Sequence, residues 1–273
     1  MGKVIAIANQ KGGVGKTTSA VNLSAALADE EGGQKVLVVD CDPQGNATSG
    51  LGFPRGTVEQ GLYQALIDKV SLRELTQLSA IPTLWLVPAT ADLAGAEVEL
   101  VSEERREWRL REALEPVRDR YDYIVLDCPP SLGLLTLNAL VAADQVIIPM
   151  QCEYYALEGL SYLCSTLERV RAVWNPELEL EGIVLTMVDG RTNLMQQVEN
   201  EVRGHFGSRV YRTVIPRNVR LSEAPSHGLP ITLYDSASRG AQAYQGLAQE
   251  FLQRRSARAR ATATAQAEAA KAV

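Results

Sequence analysis

Two lysines, Lys11 and Lys16, bracket a glycine-rich turn in the stretch NQKGGVGKTTSA, residues 9–20. Gly15, Lys16 and Thr17 close a phosphate-binding P-loop pattern. In such a loop, backbone N–H groups and a helix N-terminus face phosphate oxygens. The lysine reaches the β- and γ-phosphates, and the threonine hydroxyl holds Mg²⁺. The usual pattern has a glycine five residues before Gly15. Gln10 stands there instead, and the extra lysine, Lys11, follows it. An incidental glycine-rich turn is the alternative. The flanks argue against it, because VIAIAN reads as a strand and KTTSAVNLSAAL as a helix.

Three acids fit the same chemistry. VLVVDCDPQGN ends an apolar run in Asp40 and Asp42, and YIVLDCPPS ends another in Asp127. Carboxylates at the C-terminal ends of parallel strands meet at the sheet edge where ligands bind. Asp127 reads as a Walker B aspartate acting on Mg²⁺. Taken singly, each acid is equally able to cap a turn; the P-loop beside them tips the reading. No serine–histidine or metal-ligand constellation competes, since His205 and His227 sit at a helix end and in a turn.

These residues need a scaffold, and the chain supplies it. Six short apolar runs, at 3–8, 35–40, 84–89, 123–128, 145–150 and 182–187, read as strands buried on both faces. Helical spacing occupies 17–30, 103–118, 157–173 and 193–205 between them. A last helix over 237–254 turns Tyr244, Leu247, Phe251 and Leu252 inward. This alternation predicts an α/β fold: a single doubly wound P-loop NTPase domain over 1–253, with a mostly parallel central sheet flanked by helices. Residues 254–273, basic and then alanine-rich, read as a tail, disordered or a frayed helix. The 273 residues carry a net charge of -6, which excludes a globally basic nucleic-acid binder but not a local basic patch. The four cysteines form no CxxC pair and read as free thiols of a reducing cytoplasm. No signal peptide is visible, and no apolar run approaches the roughly 20 residues of a membrane span.

KGGVGKTT, DCDPQGNATSGLG, DCPPSLGLLTLNAL, EYYALEGL and IPRNVRLSEAPSHG follow one another in an order and spacing that resembles the ParA/Soj chromosome-partitioning ATPases. These belong to the deviant Walker A class, with MinD and the nitrogenase iron protein. The likeness covers nearly residues 1–252. It implies ATP and Mg²⁺ as cofactors, with Gly12, Gly13, Val14, Gly15, Lys16, Thr17 and Thr18 around the phosphates. It implies Thr17, Asp40 and Asp127 at the metal, and Lys11, Lys16 and Asp42 in catalysis. Asp42 would position the attacking water, and Asp40 would support both metal and loop. Pro216 and Asn218 match the segment that lies against adenine, and Glu153 a residue reaching the ribose across a dimer. By the same resemblance Lys11 crosses into the second subunit and touches its phosphates, as an arginine finger does; a solvated loop lysine is the alternative.

The resemblance further implies an ATP-dependent homodimer that binds double-stranded DNA without sequence preference, a ParB/Spo0J-type partner that stimulates hydrolysis, and a cytoplasmic, nucleoid-associated protein. Arg191 and Arg220 match DNA-binding positions, with Arg217 beside them. Five arginines and no acid lie between 203 and 220. Two relatives within the class remain as alternatives. A MinD-like membrane ATPase requires a C-terminal amphipathic helix with bulky apolar residues. Here Arg254, Arg255, Arg258 and Arg260 have only alanine beside them, so stable membrane insertion is not expected. An iron-protein-like redox ATPase requires cysteines that bridge a dimer, for which Cys128 and Cys152 are the candidates.

Overall fold

The computed structural model describes residues 1–29, 33–153, 156–189 and 193–271. The first strand, β1 (Lys3–Ile7), shows why apolar runs become central strands. Val4 and Ala6 pack into one core and Ile5 and Ile7 into another, on opposite faces of the sheet. Only an element covered on both sides can bury every residue of a period-two strand.

The phosphate loop leads from β1 to α1 (Lys16–Asp29), then β2 (Val36–Asp40) and three short helices, α2 (Asn46–Gly50), α3 (Leu62–Leu66) and α4 (Leu72–Leu75). A two-residue strand β3 (Gln77–Leu78), β4 (Leu84–Val87), α5 (Leu93–Glu99) and α6 (Arg109–Leu114) come next. β5 (Tyr123–Asp127), α7 (Leu134–Ala142), β6 (Gln145–Gln151), α8 (Ala156–Val173), β7 (Glu179–Thr186) and α9 (Asn193–Phe206) continue the alternation. Two short helices, α10 (Val219–Glu223) and α11 (Ile231–Tyr234), precede the long α12 (Arg239–Lys271).

The described strands form one sheet in the order β3-β4-β2-β5-β1-β6-β7, parallel except for the β3–β4 pair. One face carries α3 to α9 and the other α1, α2, α11 and α12, so the expected doubly wound α/β architecture is present. Because β1, β2 and β5 sit side by side in register, Ile7, Asp40 and Asp127 end at one level.

Three elements differ from expectation. The single helix expected over 103–118 is α6 flanked by two 3₁₀ turns, 106–108 and 115–120. Arg105 adopts a left-handed φ of 55°, and Pro116 has no N–H to continue an α-helix. α7 carried no helical period in the sequence, because seven of its nine residues are buried and no polar face marks the turn. α12 does not stop near 254 but runs to Lys271. A helix there accords with the frayed-helix alternative; the disordered one rested on the loss of bulky apolar residues. That loss bears on packing, whereas the Ala, Arg, Gln and Glu of the segment are good helix formers with no glycine or proline to end them.

Packing also continues past 253. Arg254 stacks its guanidinium 3.9 Å from the Tyr211 ring centroid, Arg255 lies 4.7 Å from that of Tyr123, and Arg258 binds the buried Glu181. The arginine stems cover apolar surface while their heads find aromatic faces and a carboxylate. Tyr244, Leu247 and Phe251 are fully buried, and Leu252 only partly.

Candidate phosphate-binding site

β1 ends at Ile7 and α1 begins at Lys16, so the loop between them opens at the C-terminal edge of the sheet beneath a helix N-terminus. Gly13 and Gly15 take φ of 74° and 85°, where an L side chain is strained. A Cβ at Gly12 or Gly13 would meet no atom within 4 Å, so the loop fronts open space. Thr186, at the end of β7, donates its hydroxyl to the Val14 carbonyl at 2.8 Å and ties the loop to the sheet.

Lys16 is 6% exposed and donates its Nζ to the Lys11 carbonyl at 2.9 Å. Burial lowers its pKa, while Asp127 and Asp42 pull the other way. The lysine is thereby held across the loop, poised over its concave side.

Asp127 is fully buried, and neither carboxylate oxygen has a hydrogen-bond partner. Burial pushes its pKa well above the carboxylate range, and its register neighbour Asp40 adds to this; the nearby Thr17 hydroxyl and Lys16 act against it. A buried carboxylate without donors is costly unless it meets a cation. A carboxylate and a hydroxyl are the oxygen donors that Mg²⁺ takes, so Asp127 and Thr17 fit that ion.

Asp40 is different. Its Oδ2 accepts from the Thr48 N–H at 2.8 Å and the Thr48 hydroxyl at 2.6 Å, and its Oδ1 from the Asp42 N–H at 3.2 Å. Burial raises its pKa to about 6 against these bonds. Both oxygens therefore serve the loop. Asp42, 7% exposed, accepts from the Gln44 N–H at 2.9 Å, and its carbonyl accepts from Gly45 at 2.9 Å, a tight turn with Gly45 at φ 63°.

Lys11 stands half exposed at the rim, and its ammonium binds the half-exposed carboxylate of Glu153 in the same chain. Two residues expected to reach across a dimer thus neutralise each other within one protomer.

Beside the loop lies a cavity of about 200 Å³ lined by Gly15, Thr18, Thr186, Met187, Pro216, Asn218 and Tyr244, among others. The 210–217 segment reaches it by running along β7: Tyr211 N–H donates to the Ile183 carbonyl at 2.9 Å and Ile215 N–H to the Leu185 carbonyl at 2.8 Å. Asn218 also caps α10, accepting from the Arg220 N–H at 2.8 Å. Tyr244 of α12 meets the Ser19 hydroxyl of α1 at 3.1 Å, which joins the cavity wall to the phosphate-loop helix.

Arg191 lies outside the described residues. Arg217 is exposed at the cavity. Arg220 pairs with Glu223 at 2.9 Å and Asp235 at 3.3 Å. The run without acids in sequence is not so in space: Arg203 binds Glu199 at 2.8 Å, and Arg212 approaches Glu250 at 3.9 Å. Cys128 and Cys152, the two candidates for a bridging cluster, are both buried free thiols.

Sequence reasoning gave no role in the site to Thr48, Thr186 or Ser19, and read Tyr244 only as an inward-facing residue of the last helix. Thr48 lies in the quoted DCDPQGNATSGLG stretch, and only its place in space gives it meaning.

A protein-family model described as an AAA domain matches residues 2–180. The chain is 59% identical over 250 residues to the sporulation initiation inhibitor protein Soj of Bacillus subtilis, covering 92% of this chain and 98% of that one. It is 55% identical over 254 residues to the chromosome partitioning protein ParA of Myxococcus xanthus, covering 93% and 89%. Among solved structures, cobyrinic acid a,c-diamide synthase of Mycobacterium smegmatis with bound ADP and magnesium superposes with a TM-score of 0.79 at 36% identity, over 91% of this chain and 93% of that one.

Proposed function

The chain belongs to the ParA/Soj family of chromosome-partitioning ATPases, and from that membership we propose that it is an ATP-operated switch: ATP joins two subunits, the dimer binds DNA without sequence preference, and hydrolysis releases it. One observation carries the reading. A two-lysine glycine loop stands over a fully buried carboxylate, Asp127, that has no partner of its own.

Thr17 and Asp127 would hold Mg²⁺, which when bound neutralises phosphate charge. Lys16 would exchange its bond to the Lys11 carbonyl for phosphate oxygens, and the N–H groups of 12–18 would complete the cradle. Pro216 and Asn218 would face the adenine in the adjacent cavity. Asp42 would orient the attacking water. Lys11 would leave Glu153 and enter the second subunit's site, so that nucleotide becomes part of the interface, and Glu153 would be free to reach the ribose across it.

DNA binding by a chain of net charge -6 needs local charge. Arg217, Arg220 and Arg191 would supply it, presented twice by a dimer. Arg220 would trade Glu223 and Asp235 for phosphate. A ParB-type partner would accelerate hydrolysis, and the protein would act on the nucleoid.

Sedimentation with ATP, ADP or neither, with and without a duplex of arbitrary sequence, tests the proposal. Dimer and DNA complex should appear with ATP alone. DNA binding by the ADP form at equal strength would sink the switch.

A further inference from the structure

Asp40 looked like a metal residue in the sequence, yet the structure spends its carboxylate elsewhere, and its main partner has no assigned role. Thr48, 4% exposed, uses its hydroxyl twice: its proton goes to Asp40 Oδ2 at 2.6 Å, and its lone pair takes the Ala89 N–H at 2.9 Å. Asp40 Oδ1 then accepts from the Asp42 N–H at 3.2 Å. The bonds form a continuous path from the end of β4, through Thr48 and Asp40, to the backbone of Asp42. A second tie closes the loop, because Gly45 N–H donates to the Asp42 carbonyl at 2.9 Å and Ser49 N–H to the Gly45 carbonyl at 3.0 Å. The turn bearing Asp42 is thus held at one end through Asp40 by Thr48 and at the other through Gly45 by the neighbouring Ser49.

We propose that Thr48 is a positioning residue for ATP hydrolysis: its hydroxyl, clamped between Asp40 and the Ala89 N–H, fixes the turn that carries Asp42. This rests on the reading of Asp42 given above. A hydroxyl supplies one donor and two acceptor sites. Serine keeps both functions. Valine, of similar shape, keeps neither and leaves the buried Ala89 N–H unpaired. Thr48 makes none of the proposed phosphate or adenine contacts, so its loss should act on the chemical step and leave nucleotide binding alone.

The test is single-turnover hydrolysis of Mg-ATP by the full chain, with equilibrium ATP binding measured beside it. Thr48→Val should lower the rate about tenfold or more while ATP affinity stays within about threefold, since small misplacement costs rate before it costs binding. Thr48→Ser should hydrolyse at close to the parent rate. A Thr48→Val protein at the parent rate overturns the proposal. So does one whose affinity falls as far as its rate, or a Thr48→Ser protein as slow as Thr48→Val. Should Thr48→Val fail to fold, Asp40→Asn takes its place. It cannot accept from both Thr48 and Asp42, and slow hydrolysis with an unchanged Mg²⁺ requirement is expected. A raised Mg²⁺ requirement would make Asp40 a metal residue and overturn the relay. Asp42→Ala separates the two levels: if it hydrolyses normally the reading of Asp42 fails, and if it is slow while Thr48→Val is not, only the role of Thr48 fails.

Discussion

Replacing Arg258 by alanine should destabilise this protein more than its exposure suggests. The arginine is 45% exposed, but the Glu181 side chain it meets is 0% exposed. Glu181 Oε1 accepts the Tyr211 hydroxyl at 3.0 Å and Oε2 the Arg258 guanidinium, whose Nη2 also donates to the Glu181 carbonyl at 3.3 Å. Alanine leaves a buried carboxylate with one phenol. Breaking a fully buried pair from one side costs roughly 3–5 kcal/mol, and an exposed pair is worth about 0–1 kcal/mol. Arg258 stands between these cases, and water entering its place would hydrate Oε2, so a loss of about 1.5–3 kcal/mol is expected. At about 2–4 °C per kcal/mol for a chain of this size, Tm should fall by roughly 3–12 °C in a thermal melt. Adding Glu181→Gln removes the stranded charge, keeps an acceptor for Tyr211, and should recover more than half of the loss. A single variant that melts with the parent, or a double variant that recovers nothing, refutes the reasoning. The same contacts decide where a tail deletion can be made. A cut after Gln253 also removes Arg254 and Arg255 from Tyr211 and Tyr123, so only a cut beyond Arg258 leaves these anchors in place.

Two further predictions concern the phosphate loop and its acids. Lys16→Ala should abolish ATP binding, whereas Lys11→Ala should retain it and lose ATP-dependent dimerisation; a Lys11→Ala protein that dimerises and hydrolyses normally removes the second lysine from the mechanism. For pH, the Asp40 carboxyl is raised from its ordinary 3.8 to about 6 in the fold. A raised acid is destabilising when ionised, so the nucleotide-free protein should gain stability as pH falls from 7 through 6 toward 4. Asp127, which burial raises further, contributes a gain of the same sign, so Asp40→Asn should reduce the gain in melts across the range without abolishing it.

The loop and its aspartates were legible because phosphate binding demands residue types at strict spacing. The strands were legible because burial on both faces writes an unbroken apolar run. Legibility failed where meaning arises only in three dimensions. Arg212 has no acid near it in sequence, yet it approaches Glu250 of α12, and Arg220 adds the distant Asp235 to its neighbour Glu223. Asp40 and Asp127 look alike at two strand ends. Only the fold shows that Thr48 bonds to the first, while the second has just the Thr17 hydroxyl and Lys16 acting in favour of its charge among the described residues. α7 was silent because a helix buried all round has no period to read.

The strand order sets a timetable for the ribosome. β1 is made first, yet both its neighbours are late: Lys3 pairs with Tyr123, and Ile5 with Gln145. At about 5–20 residues per second, some 6 to 24 seconds pass between synthesis of β1 and of β5. Through that interval the glycine loop has emerged without the carboxylate of β5 behind it, and so without the site that gives it a ligand. Nucleotide therefore cannot template the early chain. An apolar strand with two open edges must wait for its partners, which makes this stretch the natural client of whatever shields nascent chains.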